Sequence, residues 1–241
     1  MGDSVLSRIF AQIKSARTQR PVVLFDLDGT LFDNRPRTLR ILHAYAAQLP
    51  REHQQDARAI RALNAQDVLY LLEDTLAPRG VKASVIEGAK SFWRARFFTD
   101  AACADDVPVA GAVPFVRRCW DEGATVVYLT GRDIPGMILG TTRTLRDDGF
   151  PLGVPRTELV MKPTFDEPDT TFKLRLLDSL HELGKVVASF DNEPVNCNLF
   201  YQRWPEAFSV LLETQSAPGA PELLAGCHRV PDFTDFAEPH G

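Results

Sequence analysis

Two aspartates two residues apart, Asp26 and Asp28, follow the apolar run Val22-Val23-Leu24-Phe25 and precede Gly29-Thr30-Leu31-Phe32-Asp33-Asn34. The run follows Pro21, is rich in β-branched residues, does not alternate and is too short for a helix, which predicts a strand buried on both faces. Along an extended backbone, residues i and i+2 face the same side, so the two carboxylates point together. Gly29 then lets the chain turn sharply behind them. Carboxylates crowded at the end of a buried strand repel each other strongly unless a cation or a shared proton intervenes. Magnesium is the expected cation for such hard oxygen donors. Asp-x-Asp-Gly by itself is also an ordinary strand-to-turn junction, because Asp and Gly are common turn formers, and it is the flanking residues that set this one apart.

Three later stretches end in groups that could join the pair. Thr125-Val126-Val127-Tyr128-Leu129 reads as a buried strand and runs into Thr130-Gly131-Arg132. Val186-Val187-Ala188-Ser189-Phe190 reads as another and ends in Asp191-Asn192-Glu193-Pro194. Between them, a short strand over Glu158-Leu159-Val160-Met161 leads to Lys162-Pro163, and the loop 166–170 leads to a helix opening with Phe172-Lys173, with Asp169 or Thr170 as its cap. Helices over 113–122 and 135–148 separate these strands, so from Pro108 onward helix and strand alternate. That alternation marks an α/β protein with a Rossmann-like parallel sheet covered by helices. A further strand at 207–212 is expected at the sheet edge, followed by an irregular Pro- and Gly-rich tail from Ala217.

Residues 35–105 differ. They carry almost no strand signal, and helical spacing recurs at Leu39, Leu42, Ala46 and Leu49, stopped by Pro50. It resumes at Ile60, Leu63, Val68, Leu71, Leu72 and Leu76, in a second helix or a second and a third before Pro78-Arg79-Gly80, and again from Val85 to Phe98. The segment holds 11 Lys and Arg against 8 Asp and Glu, while the remainder holds 16 against 24. A basic lid over an acidic core would help to hold an anion between them, although charged helical faces are most often just solvated. Within it, Phe92-Trp93-Arg94-Ala95-Arg96-Phe97-Phe98 reads either as core packing or as a surface for a substrate's leaving group. At the N-terminus, Val5, Leu6, Ile9, Phe10 and Ile13 form the apolar stripe of a short amphipathic helix within residues 1–20. It packs on the core or on a partner, with a membrane-surface or transit role as the weaker reading.

Taken together, these stretches resemble the four motifs of the haloacid dehalogenase-like phosphohydrolases, in order, from Val22 to about Phe200. The resemblance implies that Asp26 is the nucleophile that becomes an aspartyl phosphate, and that Asp28 is the general acid and base. Thr130 with the following Gly131 backbone would bind the phosphoryl oxygens. Asp26, Asp28 through its backbone carbonyl, and Asp191 would hold Mg2+. For the single lysine of the third motif there are two candidates, Lys173 and Lys162, of which Lys173 is preferred because it sits at a helix N-terminus, where backbone N–H groups favour an anion. Many members carry a second acid after Asp191. Here Asn192, Glu193 or Asn196 stands in that region, and which of them serves, if any, is open. The helical segment 35–105 has the position and length of the family's helical cap, leaving 21–34 and 106–241 as the core.

The activity implied is magnesium-dependent hydrolysis of a small phosphate monoester. Dehalogenases on this scaffold lack the second Asp, and a phosphonatase needs a cap lysine for which Lys82 and Lys90 are only nominal candidates. A phosphomutase, or a non-catalytic protein that binds a phosphorylated metabolite, remains as the alternative. Composition narrows the rest. A net charge of −5 over 241 residues argues against general nucleic-acid binding. No stretch of 18 apolar residues predicts a membrane span, and no secretory apolar core is visible near the start. Cys103, Cys119, Cys197 and Cys227 are widely separated, which reads as reduced thiols in a cytoplasmic protein. The oligomeric state cannot be read from the sequence.

Overall fold

The computed structural model describes residues 4–236. Six strands form one sheet, β1 (Pro21–Phe25), β4 (Thr125–Asp133), β5 (Thr157–Lys162), β6 (Lys185–Asp191), β7 (Phe208–Leu212) and β8 (His228–Val230). Their order is β5-β4-β1-β6-β7-β8 and every pairing is parallel. The strand bearing the aspartate pair is therefore central, flanked by β4 on one side and β6 on the other. The order doubles back across β1, and ligands of open parallel sheets bind beyond the strand ends at such a reversal.

The absence of alternation in β1 has a direct cause. Val23 and Phe25 join an apolar cluster with Leu6, Ile9, Phe10 and Ile13 of helix α1 (Val5–Ser15) and Phe115, Val116 and Cys119 of α6 (Ala112–Asp121). Val22 and Leu24 join a second cluster on the opposite face, with Phe172, Leu177 and Leu180 of α8 (Asp169–Leu180) and Phe200 of α9 (Pro194–Arg203). Both faces are covered, so every position of the strand is apolar. The amphipathic α1 thus packs on the core. Phe25 and Phe190 stack with ring centroids 4.9 Å apart directly beneath the strand ends.

Between β1 and α6 the chain leaves the sheet and returns. The two-residue strand β2 (Phe32–Asp33) pairs antiparallel with β3 (Val107–Pro108), so exit and return lie side by side. The intervening residues form α2 (Arg35–Gln48), α3 (Gln54–Arg61), α4 (Leu72–Leu76) and α5 (Ala83–Phe97). These helices share an apolar cluster of their own, built on Leu42, Ile60, Leu76, Val85 and Ile86. α7 (Ile134–Asp147) connects β4 to β5.

Several expectations need correction. β4 does not stop at Leu129 but continues through Thr130-Gly131-Arg132 to Asp133, shifting register against β5 after Thr130. The N-cap of α8 is Pro168, with Asp169 inside the first turn. Of the one or two helices expected from Ile60 to Leu76, two form, but α3 starts earlier, at Gln54, and ends at Arg61, and Asn64 caps a 3-10 turn over 65–67 before α4. The strand at 208–212 is not the edge. The three-residue β8 lies outside it, cut short by Pro231, which cannot donate to a ladder, and a run that short leaves no period to read. Residues 1–3 of the N-terminal segment and 237–241 of the tail lie outside the described residues. All four cysteines are free. No helix among the described residues is long and apolar enough to cross a membrane.

Candidate active site

β1 ends at Phe25, and Asp26 continues in line, its N–H donating to the Phe190 carbonyl at 3.0 Å. Gly29 follows at φ +78°, and a Cβ there would lie 2.5 Å from Nδ2 of Asn192. The turn therefore needs glycine twice over, for its dihedral and for the approach of the β6 end. Asn192 is used in holding that junction: its Oδ1 accepts from the Thr30 hydroxyl at 3.3 Å and its Nδ2 donates to the Gln215 carbonyl at 2.6 Å.

Lys173, on the first turns of α8 and 2% exposed, donates to Asp26 Oδ1 at 2.8 Å and to Asp191 Oδ2 at 2.6 Å. One ammonium is thus shared by two buried carboxylates. Burial pushes the Asp26 carboxyl up to about 7 against the pull of Lys173, with the Asp191 charge adding to the rise. For Lys173, burial works against the charged form, but Asp191 and Asp26 outweigh it and hold the ammonium well above its ordinary value.

The surroundings of Asp28 are the reverse. Arg132 grips it with a fork, Nε to Oδ2 and Nη2 to Oδ1, both at 2.8 Å, and Arg37 of α2 reaches Oδ1 at 3.1 Å. Both guanidiniums also bind Asp106, Arg132 through Nη2 at 2.7 Å and Arg37 through Nε at 2.7 Å and Nη2. Burial alone would raise Asp28, but Arg132 and then Arg37 outweigh it and hold the carboxyl well below the usual range. Asp106, more deeply enclosed, is pushed up by burial despite the same two cations. Neither Arg37 nor Asp106 was singled out in the sequence, and Arg132 was noted only as part of Leu-Thr-Gly-Arg. Asp106 and Arg37 lie 69 residues apart, and only the return of the chain at β2 and β3 brings them together.

Thr130 is buried, and its hydroxyl oxygen accepts from the Arg132 N–H at 3.2 Å. A Cβ on Gly131 would lie 2.2 Å from Oδ2 of Asp169. That carboxylate is held by Lys162, whose ammonium donates to Asp169 Oδ1 at 2.7 Å and to the carbonyls of Glu167 and Phe165. Of the two lysines, Lys173 therefore touches the aspartates, while Lys162 anchors the entry to the helix that carries it. Asn196 donates through Nδ2 to both oxygens of Asp191 at 3.1 Å, and Glu193 is turned away to the Ala217 N–H at 3.1 Å. Asp26, Asp28, Thr130, Gly131, Lys173 and Asp191 all line one cavity of about 680 Å3 between the strand ends and the helices of 35–97.

The donor set suits a hard dication in part. Among the described residues no three His, Cys, Asp or Glu side chains are gathered to hold a metal, because the Asp28 side chain is committed to arginines. Oxygen donors are nevertheless present: the Asp26 and Asp191 carboxylates converge on one ammonium, so their negative charge exceeds the cation between them. Nothing among the described residues donates to the Asp28 carbonyl, and the buried Asn196 Oδ1 has no partner. Carboxylate, carbonyl and amide oxygens completed by water are what magnesium accepts.

No protein-family model and no curated protein matches the sequence. Solved structures do. The chain is similar over 88% of its length to 94% of the Mycobacterium tuberculosis Protein Tyrosine Kinase A, at 16% identity and a TM-score of 0.54. It is similar over 90% to 94% of a protein described as a haloacid dehalogenase-like hydrolase from Burkholderia xenovorans, at 16% identity and a TM-score of 0.51. A predicted phosphoglycolate phosphatase from Haemophilus somnus matches over 90% of this chain and 96% of its own, at 13% identity and a TM-score of 0.51. At these identities the likeness is one of fold: the chain has the α/β fold of the haloacid dehalogenase-like hydrolases. Proteins named for a kinase and for a phosphatase share it, so the reaction is argued from the residues.

Proposed function

We propose that this chain is a magnesium-dependent phosphatase that hydrolyses a small phosphate monoester through an aspartyl phosphate on Asp26. The observation that carries the reading is the convergence of Asp26 and Asp191, at the ends of the adjacent strands β1 and β6, on Lys173, with Thr130 of β4 lining the same cavity. The residues 35–105 act as a cap that encloses the substrate.

In the first half, an Asp26 oxygen attacks phosphorus in line, the bond to the ester oxygen breaks, and the departing oxygen takes a proton from Asp28. In the second, Asp28 takes a proton from water as the water oxygen attacks phosphorus. The bond to Asp26 breaks and phosphate leaves. Lys173, the Thr130 hydroxyl and the Gly131 N–H neutralise charge on the other phosphoryl oxygens. Asp26, the Asp28 carbonyl and Asp191 hold magnesium, which supplies further compensation for phosphoryl charge when bound. The Arg132 fork favours Asp28 as a carboxylate, the form that serves as base in the second half. Protonation for the first half requires the fork to part.

The test is release of inorganic phosphate from a panel of monoesters with magnesium and with a chelator, using wild type and Asp26→Asn. Magnesium-dependent release lost in Asp26→Asn supports the reading. Retained turnover in Asp26→Asn, or turnover unaffected by the chelator, overturns it.

A further inference from the structure

The lining of the cavity is of two kinds. Asp26, Thr130 and Lys173 are the polar groups proposed to meet the phosphoryl group, and Tyr70, Trp93, Phe97 and Phe98 add four aromatic rings to the same lining, with Phe97 lying under the Arg37 guanidinium at 4.4 Å. Three of these rings form one cluster, with Trp93 4.5 Å from Phe97 and 5.6 Å from Phe98 between centroids, and Phe97 5.0 Å from Phe98. The indole N–H of Trp93 is already donated to the Thr38 hydroxyl at 3.1 Å, so its aromatic surface is what remains for a ligand.

Several other polar side chains of the lining are engaged within the protein. Lys90 is paired with Glu73 and with Glu87, Gln215 donates to the Val68 carbonyl at 2.5 Å, and Glu193 accepts from the Ala217 N–H. Arg94 makes no ion pair among the described residues, and its guanidinium stands 5.4 Å from the Phe165 ring, a group that stacks on flat surfaces. At the rim, Leu69, Tyr70 and Leu71 stand 47%, 50% and 38% exposed, a run of three large side chains in water that a ligand would cover.

A leaving group rich in hydroxyls would give up water here and find few partners, which costs binding for each polar group left unsatisfied. A planar ring gains instead, since a base stacks favourably on an aromatic side chain. The volume of about 680 Å3 is ample for a ring system together with its phosphate. We infer that this site takes phosphate monoesters whose alcohol portion carries a planar aromatic ring, a nucleoside or a phenol, in preference to sugar phosphates and small phosphorylated acids. The inference rests on the phosphatase reading.

The decisive pair is adenosine 5′-monophosphate and ribose 5-phosphate, which share the same leaving oxygen and differ by the ring. With wild-type enzyme and magnesium, KM for the nucleotide is expected to be at least tenfold lower. Trp93→Leu removes most of that difference by raising the nucleotide KM while leaving the ribose 5-phosphate KM within twofold. Tyr70→Ala, on the exposed rim, gives the same pattern more weakly and serves if Trp93→Leu loosens its helix. Phenyl phosphate against glycerol phosphate forms the second arm, and a KM lower than that of the nucleotide assigns the ring to a phenol. Equal KM values with and without the ring, or a Trp93→Leu effect common to both esters, overturns the inference. If no ester is hydrolysed, calorimetric titration separates the two claims. Binding of the nucleotide without ribose 5-phosphate keeps the aromatic wall and removes the phosphatase reading, and binding of neither removes both.

Discussion

Asp26 and Asp28 are two residues apart on one strand end, yet they sit in opposite electrostatic surroundings. Asp26 shares a single lysine with Asp191, two carboxylates to one cation. Asp28 shares two arginines with Asp106, two carboxylates to two cations. The first group is short of positive charge and the second is balanced. What the difference teaches is where added charge can be accepted: a dication would be drawn to the Asp26 side, whereas the Asp28 carboxylate already meets two guanidiniums that tie it to Asp106 between α2, β4 and the returning chain.

The largest effect that sharpens this contrast is on catalysis. Asp26→Asn is expected to lower kcat/KM on the order of 10⁴-fold or more, the scale of losing a nucleophile, with circular dichroism unchanged. Turnover near wild type would dissolve the distinction between the two aspartates.

Next in size is the clamp. Arg132→Gln leaves Asp28 and Asp106 with Arg37 as their one remaining cation among the described residues, and breaking one side of a buried pair costs about 3 kcal/mol. A drop of that size in urea unfolding, partly restored in Arg132→Lys, which keeps the charge and loses the fork, is the expected result. No drop would mean that Asp106 is solvated.

A third prediction uses pH. The folded carboxyl of Asp26, at about 7, lies above the unfolded value near ~4. The folded chain therefore holds that proton more tightly. The resulting stabilisation is fully present below about pH 4 and is lost as pH rises through about 7. Metal-free protein should lose on the order of a few kcal/mol across that window, read as a falling Tm. Magnesium should stabilise the fold more at pH 8 than at pH 5, read as a larger rise in Tm, with a total of about 2.7 kcal/mol at a hundredfold excess over Kd. A magnesium effect independent of pH would place the ion away from Asp26.

The smallest expected effect concerns the tie between the helical segment and the tail. Gln215→Ala removes the bond to the Val68 carbonyl and should cost about 1 kcal/mol, with KM rising more than kcat falls. A kcat that falls as far as KM rises, or further, would place the bond outside substrate enclosure.

Much of the fold was legible because it depends on local pattern. Val22–Phe25, Thr125–Leu129 and Val186–Phe190 read as buried strands since a sheet covered on both faces demands continuous apolar residues, and the helices of 35–97 read from their spacing. β8 was not legible, because three residues carry no period. In the site, the residues at strand ends were visible as polar breaks in apolar runs: Asp26, Asp28, Thr130 and Asp191. Arg37 and Asp106 were not, since a lone Arg in a helix and a lone Asp before Val107-Pro108 look like solvated charges until a partner is placed beside them.

The sequence by itself determined the parallel α/β core, the crowding of two carboxylates at the end of its central strand, and the set of groups able to answer them. These follow from periodicity and from the identity of neighbouring residues, which a linear chain contains. Only the tertiary structure set Lys173 between Asp26 and Asp191 and Lys162 against Asp169, turned Asp28 to two arginines and Asp26 to one lysine, and gave the cavity lining its aromatic rings. Those outcomes depend on distances between residues far apart in the chain, and such distances exist only once the sheet has closed and the helical segment has returned to it.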